Sequence, residues 1–333
     1  MNETIHIIGA FETAVRGSER AAFAAARLIA AEAPVELWST VPLAPALLRL
    51  ADEQGLAPQV IRPFAGVMPR GGRLIIWGTH FDIGLWLRAA APRAVAIVSE
   101  LFHHAALYRA ILDVRAAGLE APRLVHVSTL TRDSALLAGE VLYPPADLAP
   151  MLAIGKRAGR DFTVGRVSRD IAAKHHADDP ALYASLVAAG YHVRILGGSC
   201  LSGSVPASPR LELLPQGSVE VAGFLASLDV FFYRTGGEGL FVEPSGVAVL
   251  EASAAGLPVV AGRPGGYLDL ITDGINGFVI DGNDEALVAI GRLAGDRQLR
   301  LAMGDRARSR VRDYFGPDYA RRLLEAAFGG DTL

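Results

Sequence analysis

Short runs of β-branched and other apolar residues alternate along this chain with longer stretches rich in Ala, Leu and Arg. The runs have the length of strands, and the stretches between them have the length of helices. Alternation of this kind is typical of parallel sheets that are covered by helices on both faces. The predicted strands lie near residues 5–8, 34–38, 73–77, 94–98, 123–127, 161–165, 193–197, 229–233, 258–261 and 278–280.

The alternation is interrupted near the middle of the chain, at Pro144-Pro145 and in the polar stretch 155–160. Proline pairs and polar clusters are typical of connections between elements or domains. We therefore predict an α/β fold of two Rossmann-like domains, residues 1–152 and 153–310. Two such domains predict a cleft between them, with ligands at the C-terminal ends of the strands.

The end of the chain carries a helical stretch, about 298–328, that is rich in Arg and Ala and has few strand features. We predict one helix there. Its last part, within residues 311–333, is expected to pack back on the N-terminal domain.

Composition narrows the class of protein. The chain has 333 residues, of which 51% are hydrophobic, and a formal net charge of −3. Nucleic-acid-binding domains usually carry a basic surplus, so no nucleic-acid partner is predicted. The single cysteine, Cys200, leaves no disulfide framework within the chain. We find neither a signal-peptide pattern nor an apolar run of ~20 residues. The expected location is the cytoplasm, and peripheral contact with the inner face of the membrane stays open.

Two glutamates in the second half are the first candidates for chemistry. Glu243 and Glu251 flank the run Pro244–Leu250, after a predicted strand and on an otherwise apolar helical stretch. An acid in such surroundings is usually paired or functional. Two carboxylates at the mouth of a parallel sheet can each bind a vicinal pair of hydroxyls, which suggests a sugar-nucleotide site.

Two cations follow the strand near 161–165. Arg166 stands at its end and Lys174 lies shortly after it. A guanidinium offers a planar fork of donors to phosphate oxygens, and an ammonium offers a compact charge. Together they can neutralise a diphosphate without a metal ion. The alternative interpretation is that both are solvated surface cations.

Two glycine-containing turns are candidate anion sites. Gly17-Ser18 precedes a helix whose first backbone N–H groups are free to bind an anion. Gly265-Gly266 follows the strand near 258–261 and lets the backbone approach a ligand closely. The alternatives are an ordinary strand–helix turn with Ser18 as N-cap in the first case, and a plain tight turn in the second.

With these motifs in view, the second half resembles the retaining glycosyltransferases of family four, also called glycosyl transferases group 1, which have the GT-B fold. The resemblance covers roughly residues 160–285. It extends more loosely to Gly17–Arg20 and Val127-Ser128. The residues that carry it are Val164–Arg166, Lys174, Glu243, Glu251–Val260, Gly265-Gly266 and Asp273–Gly277.

The resemblance implies a role for each motif. Arg166 and Lys174 would hold the diphosphate of the donor, and Glu243 would lie near the transferred sugar. Glu251 would bind the ribose hydroxyls. The further donor-binding positions are Ser245, Gly246, Gly265, Gly266 and Gly17.

The N-terminal domain departs from the family pattern at one position. Members often carry a histidine directly after the strand that here ends near Val98, where this chain has Ser99-Glu100. The candidates for the catalytic polar group of this domain are therefore Glu100, His103 and His104, beside Glu243, Arg166 and Lys174 of the second domain.

The resulting functional hypothesis is a retaining glycosyltransferase. It would move a sugar from a UDP- or GDP-linked donor to a hydroxyl of a sugar or lipid-linked acceptor in bacterial polysaccharide or glycoconjugate assembly. No cofactor and no metal ion is expected. The alternatives are a sugar-nucleotide epimerase of GT-B-like fold and a catalytically silent nucleotide-sugar-binding protein.

Overall fold

A computed structural model describes residues 3–12, 17–84, 86–155, 161–236 and 241–330. Most of the predicted connecting stretch 155–160, and part of the predicted loop before Gly17, lie outside these residues. The chain divides into two compact units. The first unit comprises residues 1–146 and 315–333, and the second comprises residues 147–314.

The first unit contains a seven-stranded sheet in which every neighbouring pair is parallel. Its strand order is β3-β2-β1-β4-β5-β6-β7. The strands are β1 (Ile5–Gly9), β2 (Val35–Ser39), β3 (Gln59–Val60), β4 (Arg73–Trp77), β5 (Ala94–Ser99), β6 (Arg123–His126) and β7 (Glu140–Val141). The helices of this part are α1 (Gly17–Ile29), α2 (Pro45–Glu53), α3 (Trp86–Ala90), α4 (His104–Ala116) and α5 (Thr129–Ala135), with a 3-10 helix at Pro63–Ala65.

The second unit contains a six-stranded parallel sheet of order β10-β9-β8-β11-β12-β13. Its strands are β8 (Thr163–Val167), β9 (His192–Leu196), β10 (Leu211–Leu214), β11 (Val230–Tyr233), β12 (Val259–Gly262) and β13 (Gly277–Ile280). The α-helices are α6 (Ala149–Leu152), α7 (Asp179–Ala188), α8 (Val221–Leu225), α9 (Val247–Ala254), α10 (Asn283–Gly295) and α11 (Arg297–Tyr314). Short 3-10 helices lie at Ala172–Lys174, Ser199–Leu201 and Gly266–Leu270.

Central strands in both sheets are buried on both faces, which is why they read as continuous apolar runs. Every residue of β1, β4 and β11 is buried. Parallel sheets require this cover, because crossover helices lie on each face. Both sheets therefore have the Rossmann-like α/β architecture that the alternation predicts.

All the predicted strands are present, and three further strands were missed. Two of these, β3 and β7, have only two residues each and lie at the edges of the first sheet. The third, β10, is one of the two edge strands of the second sheet. Edge strands are partly exposed, so they lack the apolar run that identifies a central strand.

The prediction of one helix over about 298–328 is wrong. The structure has α11, which ends at Tyr314, and a separate helix α12 (Tyr319–Phe328). Gly316-Pro317 lies between them, and proline cannot continue a helix because it lacks the N–H and clashes with the preceding turn. Helix α12 packs against α1, β5 and β6 of the first unit. No helix among the described residues is long and apolar enough to span a membrane.

Candidate functional site

The strand order of the second sheet places β8 and β11 side by side at its centre. From β8 the chain proceeds outward to β9 and β10, and it then returns to β11 and proceeds the other way. This reversal is a topological switch point, where open α/β sheets bind ligands beyond the carboxyl ends of the strands. Arg166 is the penultimate residue of β8, Lys174 follows that strand, and the first predicted glutamate follows β11, so the fold gathers them at this edge.

Lys174 and Glu243 form an ion pair at that edge. The ammonium of Lys174 donates to Oε2 of Glu243, and the same oxygen accepts a hydrogen bond from the hydroxyl of Tyr233 at 3.0 Å. Nζ of Lys174 also lies 4.1 Å from the centroid of the Phe241 ring. Both charged side chains are mostly buried, at 9% and 14% exposure. The interpretation of Lys174 as a solvated surface cation is therefore wrong.

Burial sets the electrostatics of this pair. Desolvation lowers the pKa of Lys174, and the neighbouring Glu243 carboxylate partly opposes that shift. Desolvation likewise raises the pKa of the Tyr233 hydroxyl well above its ordinary value, and Glu243 raises it further. Tyr233 therefore remains a neutral donor to the carboxylate at ordinary pH.

Arg166 lies behind this pair rather than at the surface. Its side chain is fully buried on β8, so the surface-cation interpretation is wrong for this residue too. The guanidinium donates to the backbone carbonyl oxygens of Lys174 and Arg234, to the latter at 2.9 Å. It also lies over the Tyr233 ring, 4.7 Å from the centroid. Arg166 thus holds the backbone of Lys174, and direct contact of its guanidinium with a diphosphate stays a prediction.

Two further charged residues belong to this cluster and were missed from the sequence. Asp179, the first residue of α7, is fully buried and accepts from Arg166 at 2.9 Å through Oδ2. Arg234, directly after β11, binds the other oxygen of the same carboxylate. Arg234 repeats the pattern that singled out Arg166, a cation at the end of an apolar strand. Asp179 was missed because two aspartates at this point, Asp178 and Asp179, are typical of an ordinary helix start.

The cluster also fixes the segment that leads into α7. Asp179 accepts from the backbone N–H of His176 at 3.0 Å. Arg234 donates to the side chain of Asn283 at 2.8 Å, and Asn283 donates to the carbonyl of Asp178. Among the residues that the structure describes, the hydrogen-bonded set joins three cations, Arg166, Arg234 and Lys174, to two carboxylates, Asp179 and Glu243. Within this set positive charge is in surplus.

The loop from Glu243 to α9 is held by backbone geometry. The carbonyl of Glu243 accepts from the N–H of Gly266 at 2.8 Å. Gly246 precedes α9 with a φ of 79°, a left-handed conformation that favours glycine. Ser245 lies between them and is partly buried. Glu251 is buried within α9, with 6% of its surface exposed.

Position 265 must be a glycine, because the Tyr267 ring leaves no room for a side chain. A Cβ atom at this position would lie 2.2 Å from the Tyr267 ring. That ring is fully buried, and its hydroxyl donates to the carbonyl of Gly262 at 2.6 Å. A side chain at Gly265 would therefore meet a fixed ring, and Gly265 and Gly266 are themselves buried at the carboxyl end of β12.

The first unit places Glu100 against the start of α1. One carboxylate oxygen accepts from the indole N–H of Trp77 at 2.7 Å, and the other accepts from the Ser18 hydroxyl. Ser18 is the second residue of α1, which begins at Gly17, so the alternative that made Ser18 the N-cap is wrong. Burial raises the pKa of Glu100 to about 7, although both hydrogen bonds oppose the shift.

The two predicted histidines lie at the start of α4. His103 is the exposed N-cap residue and makes no side-chain capping bond. The ring of His104 lies 3.3 Å from the Ser134 hydroxyl. Their catalytic role stays a prediction, as does that of Glu100.

In chemical terms, the second unit offers a buried ammonium with a carboxylate beside it. An ammonium in a desolvated site strongly favours an anionic ligand. The carboxylate can accept hydrogen bonds from hydroxyl groups. A ligand that carries both an anion and hydroxyls fits this edge.

Comparison with known proteins finds similarity over part of the chain. Residues 198–310 match the sequence model of the family described as glycosyl transferases group 1. The GDP-mannose-dependent alpha-(1-6)-phosphatidylinositol monomannoside mannosyltransferase of Mycolicibacterium smegmatis is 46% identical over 89 residues, which are 26% of this chain and 23% of that protein. The capsular polysaccharide biosynthesis glycosyltransferase CapM of Staphylococcus aureus is 26% identical over 179 residues, 50% of this chain and 46% of CapM. The aligned regions thus span less than half of these curated relatives.

The fold has a solved counterpart over almost the whole chain. The crystal structure of Anabaena HepE in complex with UDP and glucose superposes with a TM-score of 0.69 at 14% identity, and the match covers 97% of this chain and 98% of that one. A likeness at this identity shows the fold, which is the predicted α/β fold with two Rossmann-like domains of the GT-B kind.

Proposed function

Because residues 198–310 match the glycosyl transferases group 1 family and the fold is of the GT-B kind, we propose that the chain is a glycosyltransferase. It would transfer a sugar from a nucleotide diphosphate to a hydroxyl of an acceptor, with the anomeric configuration retained. The observation that carries the proposal is the Lys174–Glu243 pair at the switch point of the second sheet.

The charge of the buried cluster supports an anionic ligand at this point. Its surplus positive charge is compensated when a diphosphate binds beside Lys174. Arg166 and Asp179 keep the Lys174 backbone in place. The buried Gly265-Gly266 turn lies next to Glu243, and the N–H of Gly266 holds the Glu243 carbonyl in place.

The difficult step is loss of the diphosphate. The bond between the anomeric carbon and the diphosphate oxygen breaks, and negative charge builds on that oxygen. Lys174 stabilises this charge where it develops. The acceptor oxygen forms the new bond to the anomeric carbon on the same face, and its proton passes to the departing phosphate oxygen. Glu243 accepts hydrogen bonds from the sugar hydroxyls and Glu251 from the ribose.

The names of similar proteins support the proposed donor and the proposed biosynthetic pathway class. One relative is described as GDP-mannose-dependent and acts on a phosphatidylinositol mannoside, and another serves capsular polysaccharide biosynthesis. The HepE structure holds UDP and glucose. We therefore propose a UDP- or GDP-linked sugar as donor and a sugar or lipid-linked hydroxyl as acceptor. The proposed setting is bacterial glycoconjugate assembly in the cytoplasm.

We propose further that no metal ion takes part, because the Lys174 ammonium supplies the positive charge that a metal otherwise provides. Turnover that survives excess EDTA is the expected result. Turnover that EDTA abolishes and Mg²⁺ or Mn²⁺ restores would contradict this part alone.

The test begins with a thermal-shift screen of UDP, GDP and their sugars. A ligand at 100 times its dissociation constant adds about 2.7 kcal/mol to the stability of the folded state. The hits are then incubated with a panel of sugar and lipid-linked acceptors, and NMR reads the anomeric configuration of the product. Retained configuration supports the proposal, and an inverted product contradicts retention. An epimer formed from donor alone identifies an epimerase, and binding without turnover identifies a silent binder.

A further inference from the structure

The segment that carries Lys174 also presents a histidine. His176 lies shortly after Lys174 and before helix α7, and 27% of its side chain is exposed. Lys174 is 9% exposed and is already paired with Glu243. The segment therefore offers a second polar group that a ligand can reach more easily than the first.

The backbone directs His176 to the same side of the segment as Lys174. His175 between them is extended, with a φ of −110° and a ψ of 143°. Side chains alternate along an extended backbone, so the two neighbours of His175 project one way and His175 projects the other. His175 indeed donates through Nε2 to the carbonyl of Gly197 at 2.9 Å, directly after β9.

The ring of His176 lies beside the ends of β11 and β12 instead. A Cβ atom at Gly236, in the loop after β11, would lie 3.9 Å from Cδ2 of His176 and 4.0 Å from Cδ of Pro264. Pro264 belongs to the loop after β12. His176 thus borders the same carboxyl edge at which Lys174 meets Glu243.

Two hydrogen bonds hold the imidazole and determine its tautomer. The backbone N–H of His176 donates to Oδ2 of the buried Asp179 at 3.0 Å, and Nδ1 accepts from the N–H of Asp178 at 3.1 Å. Because Nδ1 accepts, the proton of the neutral ring is on Nε2. A doubly protonated ring, with the Asp178 carboxylate 3.6 Å from Nδ1, carries that proton too. Within the described part of the chain, no group accepts from Nε2–H.

A diphosphate beside Lys174 needs further donors. Lys174 has three N–H donors, and one of them is engaged with Glu243. Arg166, the other cation predicted for the diphosphate, has both terminal nitrogens engaged with oxygens of the protein. The Nε2–H of His176 is a donor on the same segment that the protein leaves for a ligand.

We propose that His176 donates this hydrogen bond to the diphosphate of the nucleotide sugar, next to Lys174. The inference rests on the proposed function and adds a binding residue to the same site. A hydrogen bond to a charged phosphate oxygen is stronger than one between neutral groups, so its loss is measurable as weaker binding.

The test is isothermal titration of the full chain with UDP and with GDP, which reads binding without turnover. His176→Phe keeps a planar ring but has no N–H, and it is expected to weaken diphosphate binding at least about tenfold. His176→Gln keeps an N–H donor near the position of Nε2 and is expected to bind within about threefold of wild type. The comparison separates the donor from the packing of the ring.

The control is His192→Phe. His192 is 31% exposed and has the carboxylate of Asp161 3.3 Å from its ring, but it is the first residue of β9 and therefore lies at the opposite end of the sheet. This variant should bind the diphosphate like wild type, and circular dichroism checks that each variant folds.

The possible failures are distinguishable. Wild-type binding of a diphosphate that His176→Phe matches overturns the inference and leaves the proposed function intact. Equal weakening in His176→Phe and His176→Gln overturns it as well, since the retained N–H would then make no difference. A wild-type chain that binds neither UDP nor GDP contradicts the proposed function, and the inference falls with it.

Discussion

Asp179 and Arg234 form an ion pair inside the second unit, with Nε and Nη2 of the arginine 2.9 and 2.8 Å from the same carboxylate oxygen. The other oxygen of Asp179 binds Arg166. One buried carboxylate therefore holds the two cations that end β8 and β11. Because Arg166 in turn holds the carbonyl of Lys174, the position of Lys174 depends on a residue that lies behind the site.

Removal of this carboxylate should destabilise the second unit. Asp179→Asn leaves two buried guanidinium groups without a counter-charge, and breaking a buried pair costs about 3–5 kcal/mol. Urea unfolding measures the loss. The control is Asp178→Asn at the neighbouring position, where the side chain is largely exposed and little change is expected. A loss of less than about 1 kcal/mol in Asp179→Asn would show that the pair is not structurally required.

Substitution of Lys174 should affect the proposed reaction more than the fold. Lys174→Ala removes the cation that faces the diphosphate, and loss of one such donor typically lowers kcat about 10²–10³-fold. Steady-state kinetics with the best donor of the thermal-shift screen measure this. Arg210→Ala, at an exposed cation next to β10, is the matched control. Unchanged kcat/KM in Lys174→Ala would remove this residue from the site.

Glu100 should make the stability of the protein depend on pH. Its folded-state pKa of about 7 lies above the ordinary value of 4.5. The folded state therefore favours the neutral acid, and stability falls as pH rises from the ordinary value through the folded-state value. The largest loss is about 3 kcal/mol, since one pKa unit corresponds to about 1.4 kcal/mol.

The variant Glu100→Gln cannot ionise, so it should be more stable than wild type at about pH 8 and similar to it at about pH 5. Thermal unfolding at both values measures the difference, and Glu120→Gln at an exposed position serves as control. A wild-type advantage at the higher pH would mean that the ionised carboxylate is the favoured form in the folded protein.

Gly265 should not tolerate a side chain. In Gly265→Ala the new methyl group meets the fixed Tyr267 ring, and such overpacking costs about 1–3 kcal/mol. The donor should also bind more weakly, because the backbone at the end of β12 must shift. Gly282→Ala is the control, since a Cβ there meets no atom within 4 Å and its φ is −155°. Equal melting temperatures for both variants would show that the Tyr267 ring can move.

The sequence was sufficient to identify the central strands. Strands such as β4 and β11 are buried on both faces and therefore stand out as apolar runs. Edge strands such as β10 did not stand out, because half of their surroundings is solvent. The break before α12 was overlooked, although Gly316-Pro317 marks it.

The pairing of Lys174 with Glu243 could be recognised only from the fold, not from the sequence. Both were singled out by type and position, but a strand order is needed to bring the ends of β8 and β11 together. The depth of Arg166 could not be predicted, since a cation at a strand end can point outward or pack beneath the next loop. Asp179 was missed because its role comes from two arginines distant in sequence.

The packing of α12 on α1, β5 and β6 means that the first unit is assembled from two segments, 1–146 and 315–333, that are distant in sequence. During synthesis the ribosome releases residues 147–314 before Tyr319, Leu323 and Leu324 can fill their places against the earlier strands. The second unit is thus the first to have all of its parts outside the exit tunnel. The apolar surface of the N-terminal sheet that α12 covers therefore stays exposed until α12 has been synthesised.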